Sequence, residues 1–330
     1  MKKMLGVLSL TASNLQAQPP VKTLGVFERY DKSVNKIVGD SAKAVIIAKG
    51  YSWSEGPLWI EQHNMLLFSD VPGNAVYKWT ESGGAQLYLK PSGFSGTSSK
   101  SRETGSNGLT LDGKGNLVLC QHGNRQMAVM NAPLTDPKPD YTPLATHYTG
   151  KRFSSPNDCV FNDRGELYFT DPPYGLPTQG DSDPLKELSY NGVYKVKKDG
   201  TVVLLVDSIT RPNGLAFFPG GKKLLVACSD PEKPNWYVFD VKGDALTNGK
   251  IFYSVAGYDK KLGGLPDGLK IDSKGNVFAT GPGGLYIFNK KGKLLGKLSL
   301  PQPTSNCSLS ADERTLFITN NKQVLKFTMR

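Results

Sequence analysis

Short apolar runs recur along this chain, each cut off by Gly, Pro, Asn or Asp before it reaches helical length, a pattern that predicts many brief strands joined by turns. The runs fall into a repeating unit: a polar residue, a short apolar strand, a turn and a second apolar strand. The first three copies are Glu55-Gly56-Pro57-Leu58-Trp59 with Met65 to Asp70, Asn107-Gly108-Leu109-Thr110-Leu111 with Leu117 to Cys120, and Asn157-Asp158-Cys159-Val160-Phe161 with Leu167 to Asp171. The other three are Asn213-Gly214-Leu215-Ala216-Phe217 with Leu224 to Ala227, Asp267-Gly268-Leu269-Lys270-Ile271 with Val277 to Thr280, and Asn306-Cys307-Ser308-Leu309-Ser310 with Leu316 to Thr319. The leading polar residue stands ten or eleven positions before the second strand every time, so one hairpin is built six times. Turn chemistry falls where that hairpin needs it, as in Asp112-Gly113-Lys114-Gly115 and Asp272-Ser273-Lys274-Gly275.

Successive units begin 52, 50, 56, 54 and 39 residues apart, which leaves space for two more strands in each, as in Gly192 to Val196 followed by Val202 to Val206. Four antiparallel strands in about fifty residues make one blade, and six blades predict an all-β fold, a six-bladed β-propeller with a central metal-binding channel. The last unit is one strand short, whereas Ala44 to Ala48 precedes the first unit as an extra strand. Pairing that strand with the last blade closes the ring, leaves no exposed sheet edge, and gives a single domain over residues 19–330.

The innermost strands of a propeller line its channel, so the six leading residues should form a ring of Glu55, Asn107, Asn157, Asn213, Asp267 and Asn306. Any one Asn-Gly or Asp-Gly is a turn signal, but six oxygen donors in register, two of them anionic, need a cation to offset repulsion and desolvation. Oxygen donors without thiolate or imidazole predict one divalent cation, Ca²⁺ first, with Mg²⁺, Mn²⁺ or Zn²⁺ as alternatives. Open positions on such an ion make the site catalytic in type, and a carboxylate beside them can take a proton from water.

The series Glu55-Gly56-Pro57, Ser106-Asn107-Gly108-Leu109, Ser155-Pro156-Asn157-Asp158, Phe169-Thr170-Asp171-Pro172, Arg211-Pro212-Asn213-Gly214-Leu215 and Leu265-Pro266-Asp267-Gly268 resembles the gluconolactonase, senescence-marker-protein and regucalcin family. The resemblance runs from about Tyr51 to Thr319. Leu119 to Arg125 and Ala279 to Gly284 are similar to the bacterial gluconolactonase branch. The resemblance implies that Glu55, Asn157, Asn213 and Asp267 hold the metal, that Asp267 is also the catalytic base, and that Asn107 and Asn306 face the substrate or an outer shell. It implies a hydrolase opening a sugar lactone to the aldonic acid, in carbohydrate metabolism. Animal members carry an Arg two residues before the position of Asn157. Here that residue is Ser155, and Lys151, Arg152 or Arg125 could substitute for it.

His122 and Arg125 are candidates to hydrogen-bond substrate hydroxyls, His122 otherwise being a loop histidine satisfied locally. Tyr174 is read as packing, and Asp70, Asp171 and Asp230 as turn residues accepting backbone N–H bonds. The Gly- and Ser-rich insertion Ser92 to Ser106 is a candidate lid. Two other functions stay open: organophosphate or other ester hydrolysis of the diisopropyl-fluorophosphatase type, and a non-catalytic calcium-binding propeller scaffold.

Charge changes this picture little. The chain of 330 residues has a formal net charge of +11, but its Lys and Arg pairs sit beside Gly or Asp in turn-like segments, not in a basic stripe, so solvated turns and no nucleic-acid partner are expected. No apolar stretch is long enough for a membrane span, and no obligate protein partner is evident. Cys120, Cys159, Cys228 and Cys307 lie far apart in strand-like runs and read as buried hydrophobes. Lys2 and Lys3, the apolar run Met4 to Ala12 and the segment ending at Ala17 have the layout of a secretory signal over residues 1–18. A periplasmic or secreted location is therefore expected, or a cytoplasmic one if the segment is not a signal.

Overall fold

The computed structural model describes residues 23–330, so the expected signal segment lies outside the described residues. The chain forms a six-bladed β-propeller. Blade one comprises Ser54–Ile60, Met65–Asp70, Ala75–Thr80 and Gly84–Leu89, and blade two Ser106–Leu111, Leu117–Gln121, Gln126–Met130 and Tyr141–Ala145. Blade three comprises Cys159–Phe161, Leu167–Asp171, Gly192–Val196 and Val202–Val206, and blade four Pro212–Phe217, Lys223–Cys228, Asn235–Lys242 and Ala245–Ser254. Blade five is Leu269–Ile271, Val277–Gly281, Gly284–Phe288 and Leu294–Ser299, and blade six is Asn306–Leu309, Thr315–Asn320 and Gln323–Thr328.

Lys43–Lys49 pairs antiparallel with Gln323–Thr328 and completes blade six, as expected for ring closure. Two additions were not legible in the repeat: Val26–Arg29 covers the outer edge of blade five, and Thr23–Leu24 covers Lys43–Lys49. Both reduce unpaired edge on the outer rim.

The core lies between blades. Six apolar clusters fill the six blade interfaces, and the second strand of each blade serves two of them. In blade two, Leu117 and Leu119 face blade one while Val118 and Cys120 face blade three. Burial on both faces explains why these strands read as continuous apolar runs without polar alternation. All four cysteines are buried and unpaired, matching their reading as small hydrophobes.

Hydroxyl groups tie one inner strand to the next. Ser69 Oγ donates to Asn107 O (2.9 Å), Thr170 Oγ1 to Asn213 O (2.8 Å), Thr280 Oγ1 to Ser305 O (2.9 Å), and Ser305 Oγ to Ser54 O (2.7 Å). Because these bonds occupy the main-chain carbonyls, they set the angle at which each inner strand presents its side chains to the axis.

Strand register corrects one position of the ring. In five blades the residue four places after the leading one pairs with the first second-strand residue that faces the preceding blade: Trp59 with Leu66, Leu111 with Leu117, Phe161 with Leu167, Phe217 with Leu224, and Ile271 with Val277. In blade six the matching pair is Leu309 with Leu316, which makes Ser305, not Asn306, the ring equivalent. The turn there spans Ser310 to Thr315, one residue longer than the Asp112 to Asn116 turn, and that extra residue hides the slip in a count of spacings.

Candidate active site in the central channel

Five of the six expected ring residues meet in one cavity of 430 Å³ at the channel mouth: Glu55, Asn107, Asn157, Asn213 and Asp267. Each stands at or just before the start of an inner strand, so its side chain points to the axis where the strands converge. Glu55, Asn107, Asn157 and Asn213 are buried, and Asp267 is partly exposed to the cavity. Asn213 Nδ2 donates to Ser229 Oγ at 3.2 Å, which leaves its Oδ1 buried without a hydrogen-bond partner. Asn107 Oδ1 is orphaned in the same way. Buried carboxamide oxygens are costly to leave unpaired, and two of them beside two carboxylates make a donor set complementary to a hard cation.

Electrostatics point the same way. Burial, with the charges of Asp158 and Glu103 adding, pushes the Glu55 carboxyl up to about 8. The Asp267 carboxyl is raised well above the usual carboxylate range by burial first, then by Glu55, Asp158 and Glu103. No salt bridge to Lys, Arg or His holds either of them among the described residues. The groups present therefore fit a divalent cation.

Below the ring, the axis is filled at a second level by Asp158 and Asn306. Asn306 Nδ2 donates to Asp158 Oδ2 at 3.3 Å, and Asn306 Oδ1 accepts from Cys307 N at 2.8 Å. Asn306, expected to face substrate, is thus part of the floor, one register step under the ring. The corresponding positions in four other blades are Gly56, Gly108, Gly214 and Gly268, and they leave the room that the two longer side chains take. A Cβ on Gly56 would come within 2.1 Å of Asn107 O, and one on Gly268 within 1.9 Å of Asn306 Cγ.

His122 and Arg125 do not line the cavity. His122 is fully buried, with Nδ1 3.6 Å from Glu103 Oε2 and no hydrogen bond at either ring nitrogen. Arg125 turns toward blade three, where Nε donates to Phe153 O (2.6 Å) and Nη1 lies 3.5 Å from Glu187 Oε1. They open and close the tight turn 122–125 after Leu117–Gln121, which packs against the insertion through His122 N to Gly105 O and Gly123 N to Thr104 O and does not reach over the channel mouth. Arg152 is likewise engaged, donating to Asn124 O. Asp70 and Asp171 cap backbone N–H groups as expected, at Ser52 and Trp53 and at Ser154 and Ser155 respectively. Asp230 accepts from Glu232 N and from Thr210 Oγ1.

The cavity wall includes residues that the repeat did not nominate. Trp53, Tyr174, Tyr258 and Leu265 make its apolar side, and Glu103, Gln179 and Lys260 add polar groups. Tyr174, read from sequence as packing, does both: it lines the cavity and its hydroxyl meets Ser229 Oγ at 2.7 Å. Glu103 lies outside the repeat, and its one mark in the sequence is that it is the sole carboxylate of the Ser92 to Ser106 insertion.

Burial holds His122 neutral, with its pKa lowered to about 3 against 6.5 for an ordinary imidazole. The unfolded chain takes up that proton first, so stability present above about pH 6.5 is lost as pH falls toward 3. Glu103, raised to about 7 by burial, works in the opposite direction but is common to wild type and a His122→Gln variant. Chemical denaturation at pH 7 and pH 5 should show the wild type losing about 2 kcal/mol more than His122→Gln between the two. Equal losses would mean that the imidazole is not desolvated.

Comparison with known proteins agrees with this geometry. A family described as SMP-30/gluconolactonase/LRE-like region matches residues 53–322. The chain is 39% identical over 311 residues to a gluconolactonase of Zymomonas mobilis, covering 92% of this chain and 86% of that protein. A solved gluconolactonase from Xanthomonas campestris superposes with a TM-score of 0.81 at 29% identity, over 96% of this chain and 99% of that one. A diisopropyl-fluorophosphatase from Loligo vulgaris is 27% identical over 189 residues, covering 54% of this chain and 58% of that protein. With its six blades, its ring of inner-strand oxygen donors and a match spanning both, this chain belongs to the SMP-30/gluconolactonase/LRE-like family.

Proposed function

We propose that this protein is a metal-dependent lactone hydrolase that opens a sugar lactone of the gluconolactone type to the aldonic acid. The observation that carries the reading is the cavity itself: two carboxylates and two orphaned carboxamide oxygens converge with no salt bridge to the carboxylates, in a chain 39% identical to a gluconolactonase. Glu55, Asn157, Asn213 and Asp267 would hold the cation, Ca²⁺ being the best fit to an all-oxygen donor set. A divalent cation bound there supplies a Lewis acid for the lactone carbonyl.

The chain's own residues do the rest. Asp267 is the base that takes a proton from the attacking water, and its reluctance to stay ionised in this cavity suits that task. Asn107 presents its amide to the substrate from the adjacent strand. Trp53, Tyr174 and Tyr258 exclude bulk water from the reacting carbonyl and stack against the sugar ring. The Asp158–Asn306 floor holds the ring residues at a fixed height. We further assign the activity to carbohydrate metabolism outside the cytoplasm, on the strength of the N-terminal segment.

The test is acid release from D-glucono-1,5-lactone by chelator-stripped protein, with and without Ca²⁺, Mg²⁺, Mn²⁺ or Zn²⁺. Hydrolysis above the spontaneous rate should be absent from the stripped protein and return with Ca²⁺. A parallel assay with diisopropyl fluorophosphate addresses the second reading, which the partial match to a fluorophosphatase favours. Faster fluoride release from the fluorophosphate than lactone turnover would replace the lactonase assignment, and metal binding without either activity would leave the scaffold.

A further inference from the structure

The insertion after blade one reaches the cavity by a defined route. Its ends are pinched together, because a Cβ on Gly93 would come within 2.1 Å of the Gly105 carbonyl carbon, so residues 93–105 form a closed loop. The first limb is pinned where Asn74 Oδ1 accepts from Ser92 N, Gly93 N and Phe94 N. The second is pinned where Gly105 N donates to Val71 O (2.8 Å) and Gly123 N to Thr104 O (3.2 Å). Glu103 stands immediately before that anchor and lines the same cavity as Glu55 and Asp267.

The Glu103 carboxylate is only half satisfied. Oε1 accepts from Gln179 Nε2 at 3.0 Å, while the contact of Oε2 with His122 Nδ1, 3.6 Å, is too long for a hydrogen bond. No Lys or Arg pairs with it among the described residues. Gln179, by contrast, is fastened from behind: its Nε2 also donates to Tyr174 O (3.2 Å), and its carbonyl accepts from Arg211 Nη1 (2.9 Å). Gln179 holds a left-handed backbone with φ of 56°, which a non-Gly residue adopts only against a steric penalty. A latch built merely to close the loop would satisfy both carboxylate oxygens with protein donors. Here the fixed partner orients one oxygen and leaves the lone pairs of the other for a ligand in the cavity.

Resting on the lactone-hydrolase reading, we propose that Glu103 is a specificity-determining residue that accepts hydrogen bonds from ring hydroxyls of a neutral polyhydroxylated substrate, with Gln179 as its positioning residue. The Glu103 side chain is 22% exposed in the open cavity, and a bound ligand that covers it without offering hydroxyl donors leaves its free oxygen desolvated and unpaired. The insertion is therefore part of the binding site and more than a cover.

Two arms separate this proposal from the activity it rests on. In the first, Ca²⁺-loaded wild type, Glu103→Ala and Glu103→Gln are assayed on D-glucono-1,5-lactone and on δ-valerolactone, which has the same ring without hydroxyls. Glu103→Ala should lose about 10- to 100-fold in kcat/KM on the gluconolactone, mainly through KM, and stay within about threefold on δ-valerolactone. Glu103→Gln, which keeps one acceptor oxygen, should recover part of the loss. An equal loss on both substrates, or none on either, overturns the proposal. In the second arm, calorimetry measures binding of 1,5-anhydro-D-glucitol, a cyclic polyol that cannot be hydrolysed. Wild type should bind at least tenfold more tightly than Glu103→Ala, and equal affinities overturn the proposal. If wild type hydrolyses neither lactone, the lactonase reading falls, and the binding arm still decides the role of Glu103. Circular dichroism and a thermal melt establish that each variant is folded, and Glu103→Gln carries both arms if the alanine variant is not.

Discussion

Asp267→Asn should lower kcat on a sugar lactone by about a thousandfold while leaving a substantial part of the metal affinity in place. Asparagine keeps the side-chain shape and a carbonyl oxygen that can still face the cation, so the substitution removes charge and proton-accepting power but not the donor atom. The backbone around the residue is anchored independently, with Asp267 N donating to Thr280 O (3.2 Å) and Gly268 N to Ser305 O (2.7 Å), so the strand should not shift. Loss of a positioned general base costs about 10²- to 10⁴-fold, and a thousandfold loss corresponds to about 4 kcal/mol of barrier. Removing a like charge from beside Glu55 also lets that carboxylate ionise more readily, so less of the binding free energy goes into displacing its proton, which offsets part of the weaker attraction for a cation. The measurement is kcat at saturating Ca²⁺ together with a Ca²⁺ titration by calorimetry. If metal affinity and turnover vanish together, Asp267 is a ligand whose role as base has no support. If turnover survives within tenfold, the base lies elsewhere in the cavity, and Glu103 becomes the first alternative.

Gly268→Ala should cost at least about 3 kcal/mol of stability and lower metal affinity at the same time. The new Cβ would lie 1.9 Å from Asn306 Cγ and 2.1 Å from its Oδ1, distances that require movement. Asn306 cannot turn aside cheaply, because its two polar atoms are engaged by Asp158 and by the Cys307 amide in a buried floor. Overpacking of a close-packed interior typically costs about 1–3 kcal/mol, and breaking buried hydrogen bonds adds to it. Since Gly268 directly follows Asp267, the strain reaches the ring. The diagnostic variant is the double substitution Gly268→Ala with Asn306→Gly. Relieving the clash should return a large part of the lost stability, giving a coupling energy of clear sign in a double-mutant cycle. Additive losses in urea titrations of the four proteins would show that the glycine serves its own backbone and that the floor is not what demands it.

Much of the architecture could be read from patterns that are local along the chain. Apolar runs buried on both faces, Gly-bearing turns at a near-constant spacing and a leading polar residue in each unit are all properties of a single hairpin, and repetition identifies the propeller. Ring closure by Ala44 to Ala48 was legible for a related reason, because a blade one strand short and a strand without a blade have one economical solution. Val26–Arg29 was not, since a fifth strand on an already complete blade answers no deficit in the repeat.

The site divides in the same way. Glu55, Asn107, Asn157, Asn213 and Asp267 converge because they occupy one place in a repeat, and rotational repetition carries any such place to the axis. Asn306 was assigned to the ring because the blade-six turn is one residue longer, and only strand pairing reveals that Ser305 holds the ring level while Asn306 fills the floor. His122 and Arg125 looked like substrate ligands from their position after a strand, yet where a side chain points after a turn depends on what packs against it, here the folded-back insertion and blade three. Glu103 and Gln179 lie outside the repeat, 76 residues apart, and are joined by a single hydrogen bond. Blades, ring and oxygen-donor chemistry were legible along the chain, because periodicity is written in local residue order. Which loop residues complete the cavity depends on packing between blades, and such contacts leave no periodic trace in the chain.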